Sequence, residues 1–323
     1  MKRRVFVGGA GLVGIAANSV LAQTPQRVAR VAFLTTAASD ARPAFLVFRD
    51  RLRELGWIEG RSLVLKFYLG GSPGKERLEP MAREIAASGA DVVLADGAVP
   101  SQVMAGASSI IPIVSITGLD PTTIGLAKSL ARPGGNITGV TLFTDLLNPK
   151  RLELLREMVP SAGRVGFTYS SGREELIQSV LKAGRALGLD MRPFAIDSSS
   201  AIPHVLSAAA LADIDAFMVG PEPFLDAAPE RIVEPLTAAG KPAIYPDKPY
   251  VAIGGLASYG VNIADMFRRL AGYVDRVLRG ENPSAMPFEQ PERFEFTLNM
   301  QTVRRFGLTL PPVVLARADE VIE

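Results

Sequence analysis

No cysteine occurs in the 323 residues, and histidine and tryptophan occur once each, as His204 and Trp57. Without cysteine there is no disulfide, no thiolate nucleophile, no cysteine-based metal site and no lipid-carrying cysteine anchor. A single histidine rules out the HExxH zinc motif. No P-loop and no residues at metal-ligand spacing occur either, so metal and phosphoryl chemistry lack their apparatus. An excess of charge is also missing. Lysine and arginine total 35 against 33 acids, but Lys2, Arg3 and Arg4 belong to the amino-terminal stretch, which leaves 32 against 33. A net charge near zero argues against a nucleic acid or an anionic membrane as partner.

Acids are absent from the whole amino-terminal region, the first being Asp40. This bears on V5-F-V-G-G-A-G-L-V-G14, in which Gly9, Gly11 and Gly14 spell the dinucleotide-binding G-x-G-x-x-G. That turn needs an acid about 20 residues on to hold the ribose hydroxyls, and Asp40 comes too late. Basic Lys2 to Arg4, an apolar stretch from Val5 to Val20 and the small residues of Val20-Leu21-Ala22 read instead as an export signal, residues 1–22, cut before Gln23. The stretch is too short and glycine-rich to span a bilayer. Arg3-Arg4-x-Phe6 fits a twin-arginine signal as well as a general secretory one.

Past that point, apolar runs rich in valine, isoleucine and phenylalanine alternate with helical patterns, as βα units require. Strands are expected at 30–36, 63–69, 91–95, 111–117 and 137–143. Pro43 to Gly56 is expected as a helix with Phe45, Phe48, Leu52 and Leu55 on one face. Ser72-Pro73 is expected to open the next helix as cap and first residue. The rhythm restarts with strands at 165–169, 190–196, 216–220 and 242–245. About 300 residues suit two lobes better than one. The expected fold class is α/β, two doubly wound parallel-sheet lobes joined by a multi-strand hinge. Proline- and glycine-rich junctions put one lobe at 23–143 plus 249–287 and the other at 144–248 plus 288–323, with a third junction within Glu281 to Pro291. A ligand then belongs in the crevice at the carboxyl ends of the strands.

Several longer segments carry a resemblance. A131-R-P-G-G-N-I-T-G139 preceded by Asp120-Pro121, G254-G-L-A-S-Y259, Y273-V-D-R-V-L-R-G280 and the ending F306-G-L-T-L-P-P-V-V-L-A-R-A-D-E-V-I-E323 resemble the substrate-binding family of ABC transporters, and in particular its tryptophan- and tyrosine-binding type. The resemblance covers essentially the whole chain after the signal. It implies the type I periplasmic-binding fold, a monomer in the periplasm that closes on a small ligand without catalysis or cofactor, and an ABC permease with its ATPase as partners. The ligand it implies is an amino acid, aromatic or branched, or a related small organic molecule. A receptor-docking sensor of the same ligand is the alternative.

The resemblance also implies a site. Thr36 and Ser39 follow the first strand, and Gly97 stands in an Asp96-Gly97 loop where the family carries a small threonine-proline loop. Asp120 fits the family pattern, Tyr169 and Ser170 end the first strand of the second lobe, Glu222 stands where members often carry aspartate, and Asp247 and Tyr259 complete the rim. An acid would take a ligand ammonium and a tyrosine would flank an apolar side chain. Simpler roles compete with these: Asp120 can cap the following turn, the tyrosines can be packing residues, and Glu222 and Asp247 can be solvated loop acids. G70-G-S-P-G74 matches the G-x-S-x-G elbow of serine hydrolases. Pro73, however, lacks the amide that would help form an oxyanion hole, and His204 is the one available base.

Overall fold

The computed structural model describes residues 28–72, 74–171 and 173–323, so the expected signal segment and its glycine triplet lie outside the described residues. Among the described residues twelve strands form two sheets. The first contains β1 (Ala29–Thr35), β2 (Leu63–Leu69), β3 (Val92–Asp96), β4 (Ile113–Thr117) and β5 (Ile137–Thr141) in the order β2-β1-β3-β4-β5, every pair parallel. The second contains β6 (Arg164–Tyr169), β7 (Asp190–Ala195), β8 (Ala216–Met218), β9 (Ala243–Tyr245), β10 (Ala257–Gly260), β11 (Glu295–Asn299) and β12 (Glu320–Ile322). Its order is β12-β11-β10-β9-β8-β6-β7. β11 runs antiparallel to β10, so this sheet is mixed rather than purely parallel.

The central strands are buried on both faces, which is why they read as continuous apolar runs rather than alternating ones. The helix Pro43–Glu54 forms because proline starts it, Arg51 and Arg53 face its carboxyl end, and Ala44, Phe45, Phe48 and Leu52 make one apolar stripe. That stripe meets Phe33, whose ring centroid lies 4.5 Å from that of Phe45 and 5.7 Å from that of Phe48. The helix Ile263–Leu278 packs beside it. Asn262 caps this helix by accepting from the Asp265 amide at 3.1 Å, and its face of Met266, Phe267, Leu270, Tyr273 and Val274 is buried. Trp57 is a packing residue of this lobe, its indole N–H donating to Asp275 at 2.8 Å. The next helix starts at Lys75 with Gly74 as its cap, two residues later than Ser72-Pro73 suggested; the Ser72 hydroxyl accepts from the Gly74 amide instead.

The chain crosses between lobes three times: after β5, between Gly260 and Ile263, and between Glu289 and β11. The expected boundary at 249 is corrected by this. Residues 249–260 belong to the second lobe, because β10 pairs with β9 and β11 and Tyr250, Val251, Leu256 and Ala257 are buried there. The last crossing also comes later than 287: Glu289 still bonds the first lobe, its amide donating to Gly139 and its carbonyl accepting from Thr141. Among the described residues no helix is long and apolar enough to cross a membrane.

Candidate functional site

In both sheets the loops that follow the carboxyl ends of the strands face each other across the space between the lobes. Gly97, which follows β3 and caps the next helix, has φ of 117°, a region that glycine tolerates. A Cβ there would lie 3.7 Å from Pro223 of the opposite lobe, so the two lobes approach closely at this loop.

One side chain joins them. Arg42 precedes the helix Pro43–Glu54, is 5% exposed, and donates from Nη1 to Asp96 Oδ2 at 2.9 Å and from Nη2 to Asp226 Oδ2 at 3.2 Å. Asp96 also accepts from the Thr35 hydroxyl at 2.8 Å, and Asp226 Oδ1 from the Tyr250 phenol at 2.7 Å. Asp96 is from the first lobe and Asp226 from the second, so the ion triad spans the gap. Burial pushes both carboxyls up, with Arg42 pulling the other way. Burial also opposes the charge on Arg42, but Asp96, Asp226 and Asp247 together hold its pKa above the ordinary value.

The Arg42–Asp226 bridge is shared by two cavities. The smaller, about 150 Å³, has Thr36, Gly97, Thr117, Ser170 and Glu222 in its wall. The Thr36 hydroxyl is buried and has no hydrogen-bond partner. The Ser170 hydroxyl donates to Glu222 Oε1. Arg173 reaches the same oxygen at 3.3 Å and Asp145 Oδ2 at 2.6 Å. The Glu222 side chain is 13% exposed. Burial, with Asp145 and Asp226 adding to it, pushes its carboxyl up to about 7 against the pull of Arg173 and Ser170. A carboxyl poised there can switch to the anion when a cation arrives.

The larger cavity, about 730 Å³, lies on the other side of the bridge and has Asp247 in its wall. Behind Asp247 sits Arg151, which is 0% exposed. It donates from Nε to the Tyr259 carbonyl at 2.7 Å, and from Nη1 to Asn148 Oδ1 at 2.8 Å and the Thr144 carbonyl at 3.2 Å. These bonds tie the first crossing to the strand that leads into the second. Burial brings the Arg151 pKa down to about 10.

Of the site residues expected from sequence, Thr36, Gly97, Ser170 and Glu222 come together around the smaller cavity, and Asp247 lines the larger one. The other four line neither. Ser39 turns back to accept from the Ala41 amide at 3.1 Å. Asp120 takes the local capping role, accepting from the Thr122 amide at 2.8 Å and its hydroxyl at 2.7 Å. Tyr169 packs half-buried in the second lobe, 6.0 Å from Phe167, because strand alternation puts the two rings on one face. The Tyr259 ring lies 6.2 Å from Phe294. The hydrolase pair is not assembled: Ser72 follows β2 in the first lobe, and His204 is exposed on the short helix Ile202–Val205 of the second.

Sequence reasoning missed Arg42, Asp145, Arg173 and Asp226. Arg42 carried a signal: a cation at the amino end of a helix opposes the dipole and requires nearby acids. Among the described residues there is no group of acids or histidine placed to hold a metal ion.

The sequence model of the family described as "ABC transporter substrate binding protein" matches residues 32–322. A tyrosine-binding protein of Clostridioides difficile is 23% identical over 265 residues, 81% of this chain and 75% of that protein. A Streptococcus pneumoniae ABC domain solved with L-Trp superposes with a TM-score of 0.75 at 23% identity, covering 91% of this chain and 99% of the other. A conserved domain protein from Vibrio cholerae gives 0.78 at 23% identity, covering 91% and 100%. At that identity the structural likeness speaks for the fold.

Proposed function

The chain belongs to the substrate-binding protein family of ABC transporters, and from that premise we propose that it captures an amino acid, or a related small organic molecule, between its lobes and presents it to an ABC permease and its ATPase. Exported by its amino-terminal signal segment, it works in the periplasm as a monomer and binds without catalysing a reaction. The observation that carries it is Glu222, a largely buried acid held by Ser170 and Arg173 on a cavity walled by both lobes. An ammonium entering beside it would favour the anion, while the buried, unpartnered Thr36 hydroxyl offers a donor to a carboxylate. The tyrosine and L-Trp bound by the relatives agree with an amino-acid ligand. A ligand that touches both lobes stabilises the closed arrangement and draws the population toward it. The separation of Ser72 from His204 supports a non-catalytic reading.

The test is a thermal-shift screen of the purified protein against amino acids, aromatic acids, sugars and nucleosides. At a hundred times its dissociation constant a ligand adds about 2.7 kcal/mol to the folded state, a rise of about 4 °C in melting temperature for a chain of this size. An amino acid should stabilise, and Glu222→Gln should weaken its binding roughly tenfold or more. No response to any amino acid, with ester or amide turnover in the same preparation, would refute the proposal.

A further inference from the structure

The larger cavity is not accounted for by the Glu222 site. It opens on the other side of the Arg42–Asp226 bridge. Most of its lining is apolar, with Pro43, Ala44, Pro249, Tyr250, Val261 and Ile263 contributing from both lobes. Its polar groups are unevenly signed: Asp226, Asp247, Glu230 and Glu295 stand against Arg42 and Lys248. Arg42 is already engaged by two carboxylates, and Lys248 is half exposed and paired with Glu320 at 2.7 Å. No buried cation in this wall is therefore free for a ligand carboxylate. A free acid is present. Asp247 is 7% exposed and its Oδ1 has no hydrogen-bond partner. Arg42 and Arg151 are near enough to favour its charge, yet neither forms an ion pair with it.

We propose that this chamber is a second ligand site, taking a small primary amine with an apolar body and no carboxylate. The ammonium would pair with Asp247, and the body would lie against the apolar wall. A volume of about 730 Å³ suits a small organic molecule. The pairing is charge-assisted and desolvated, the setting in which such hydrogen bonds are strongest.

A pH signature follows. Burial, then the neighbouring charge of Asp226, pushes the Asp247 carboxyl up to about 8 against Arg42 and Arg151. The Tyr250 phenol beside Asp226 is raised further still and stays neutral. Near pH 7 the Asp247 carboxyl mostly holds its proton, so a docking ammonium must expel it. Affinity should rise by up to roughly tenfold per pH unit below about 8, while an alkylammonium stays charged throughout.

The experiment is calorimetric titration of phenethylamine and of L-phenylalanine into the purified protein at pH 6, 7 and 8, repeated with Asp247→Asn and Glu222→Gln. Phenethylamine should bind saturably and more tightly at pH 8 than at pH 6. Its affinity should fall roughly tenfold or more in Asp247→Asn and stay unchanged in Glu222→Gln. In the unaltered protein at pH 7, the dependence of binding heat on buffer ionisation should report release of close to one proton, a reading that needs no variant to fold. Absence of binding at millimolar amine, equal affinity in Asp247→Asn, or no proton release would overturn the proposal. So would Asp247-dependent binding of L-phenylalanine as tight as that of the amine. If L-phenylalanine binds in a Glu222-dependent manner while the amine fails, the second site falls and the transport reading stands.

Discussion

A guanidinium at the amino end of a helix works against the helix dipole, and burial works against it again. Arg42 persists there because Asp96 and Asp226 clasp it from two lobes. Glu222 is the opposite case, an acid whose surroundings disfavour its charge. Its carboxyl sits at about 7, above the unfolded value near 4.3. The folded state therefore holds the proton more tightly than the unfolded chain does. The stabilisation is fully present below about pH 4.3 and is lost as pH rises through 7, to a total of about 4 kcal/mol before screening is allowed for. Urea denaturation at pH 5 and pH 7.5 should show the unaltered protein losing more stability over that interval than Glu222→Gln does. Equal losses would show that Glu222 titrates normally. Sequence reading picked out Glu222 and Ser170 by their places after strands, but not their partners. Arg173 lies in a loop, Asp145 in a short turn at the first crossing, and Asp226 in the short helix Pro223–Asp226, none of them on a periodic face. Tyr169 and Tyr259 pack on the second core and line neither cavity, since an aromatic at a strand end serves a core as readily as a cleft.

Among the elements, the strands of the first sheet were legible because burial on both faces leaves long valine- and isoleucine-rich runs. The last three strands of the second sheet were not. β10 is a small-residue A-S-Y-G behind two glycines, β11 follows a proline-broken stretch, and β12 is a short, largely exposed edge. The missed β10 is what put the lobe boundary at 249 instead of beyond Gly260. Close strand packing gives one sharp expectation. Gly139 in β5 has φ of 143°, and a Cβ there would lie 1.9 Å from the Ser115 carbonyl oxygen of β4. Gly139→Ala should cost about 3 kcal/mol or more, through backbone strain and a displaced strand. A melting temperature within a degree or two of the parent would show that the two strands can move apart freely.

For the molecule as a whole, the two-lobe plan was readable from the repeated βα rhythm, while the closeness of the lobes was not, since it depends on pairs such as Arg42 and Asp226 that lie 184 positions apart. The bridge between them makes closure measurable. Asp226→Asn keeps the shape and removes one arm of the triad, leaving Arg42 with Asp96. Small-angle scattering of the ligand-free variant should show a larger radius of gyration than the parent, and a saturating ligand should reduce it. Superimposable curves would mean that the bridge does not hold the lobes together.

The interleaving of the lobes also has a consequence for how the chain is made. Neither lobe is a continuous stretch: the helix Ile263–Leu278 completes the core of the first after most of the second has been made, and β11 and β12 are added to the second after that. Until residues 295–299 emerge, β10 has one unpaired edge, an open template for any other extended chain nearby. A nascent protein stalled or truncated after Gly260 but before the helix Ile263–Leu278 is complete carries two unfinished cores and a sticky strand, so such truncations should aggregate rather than leave one lobe folded.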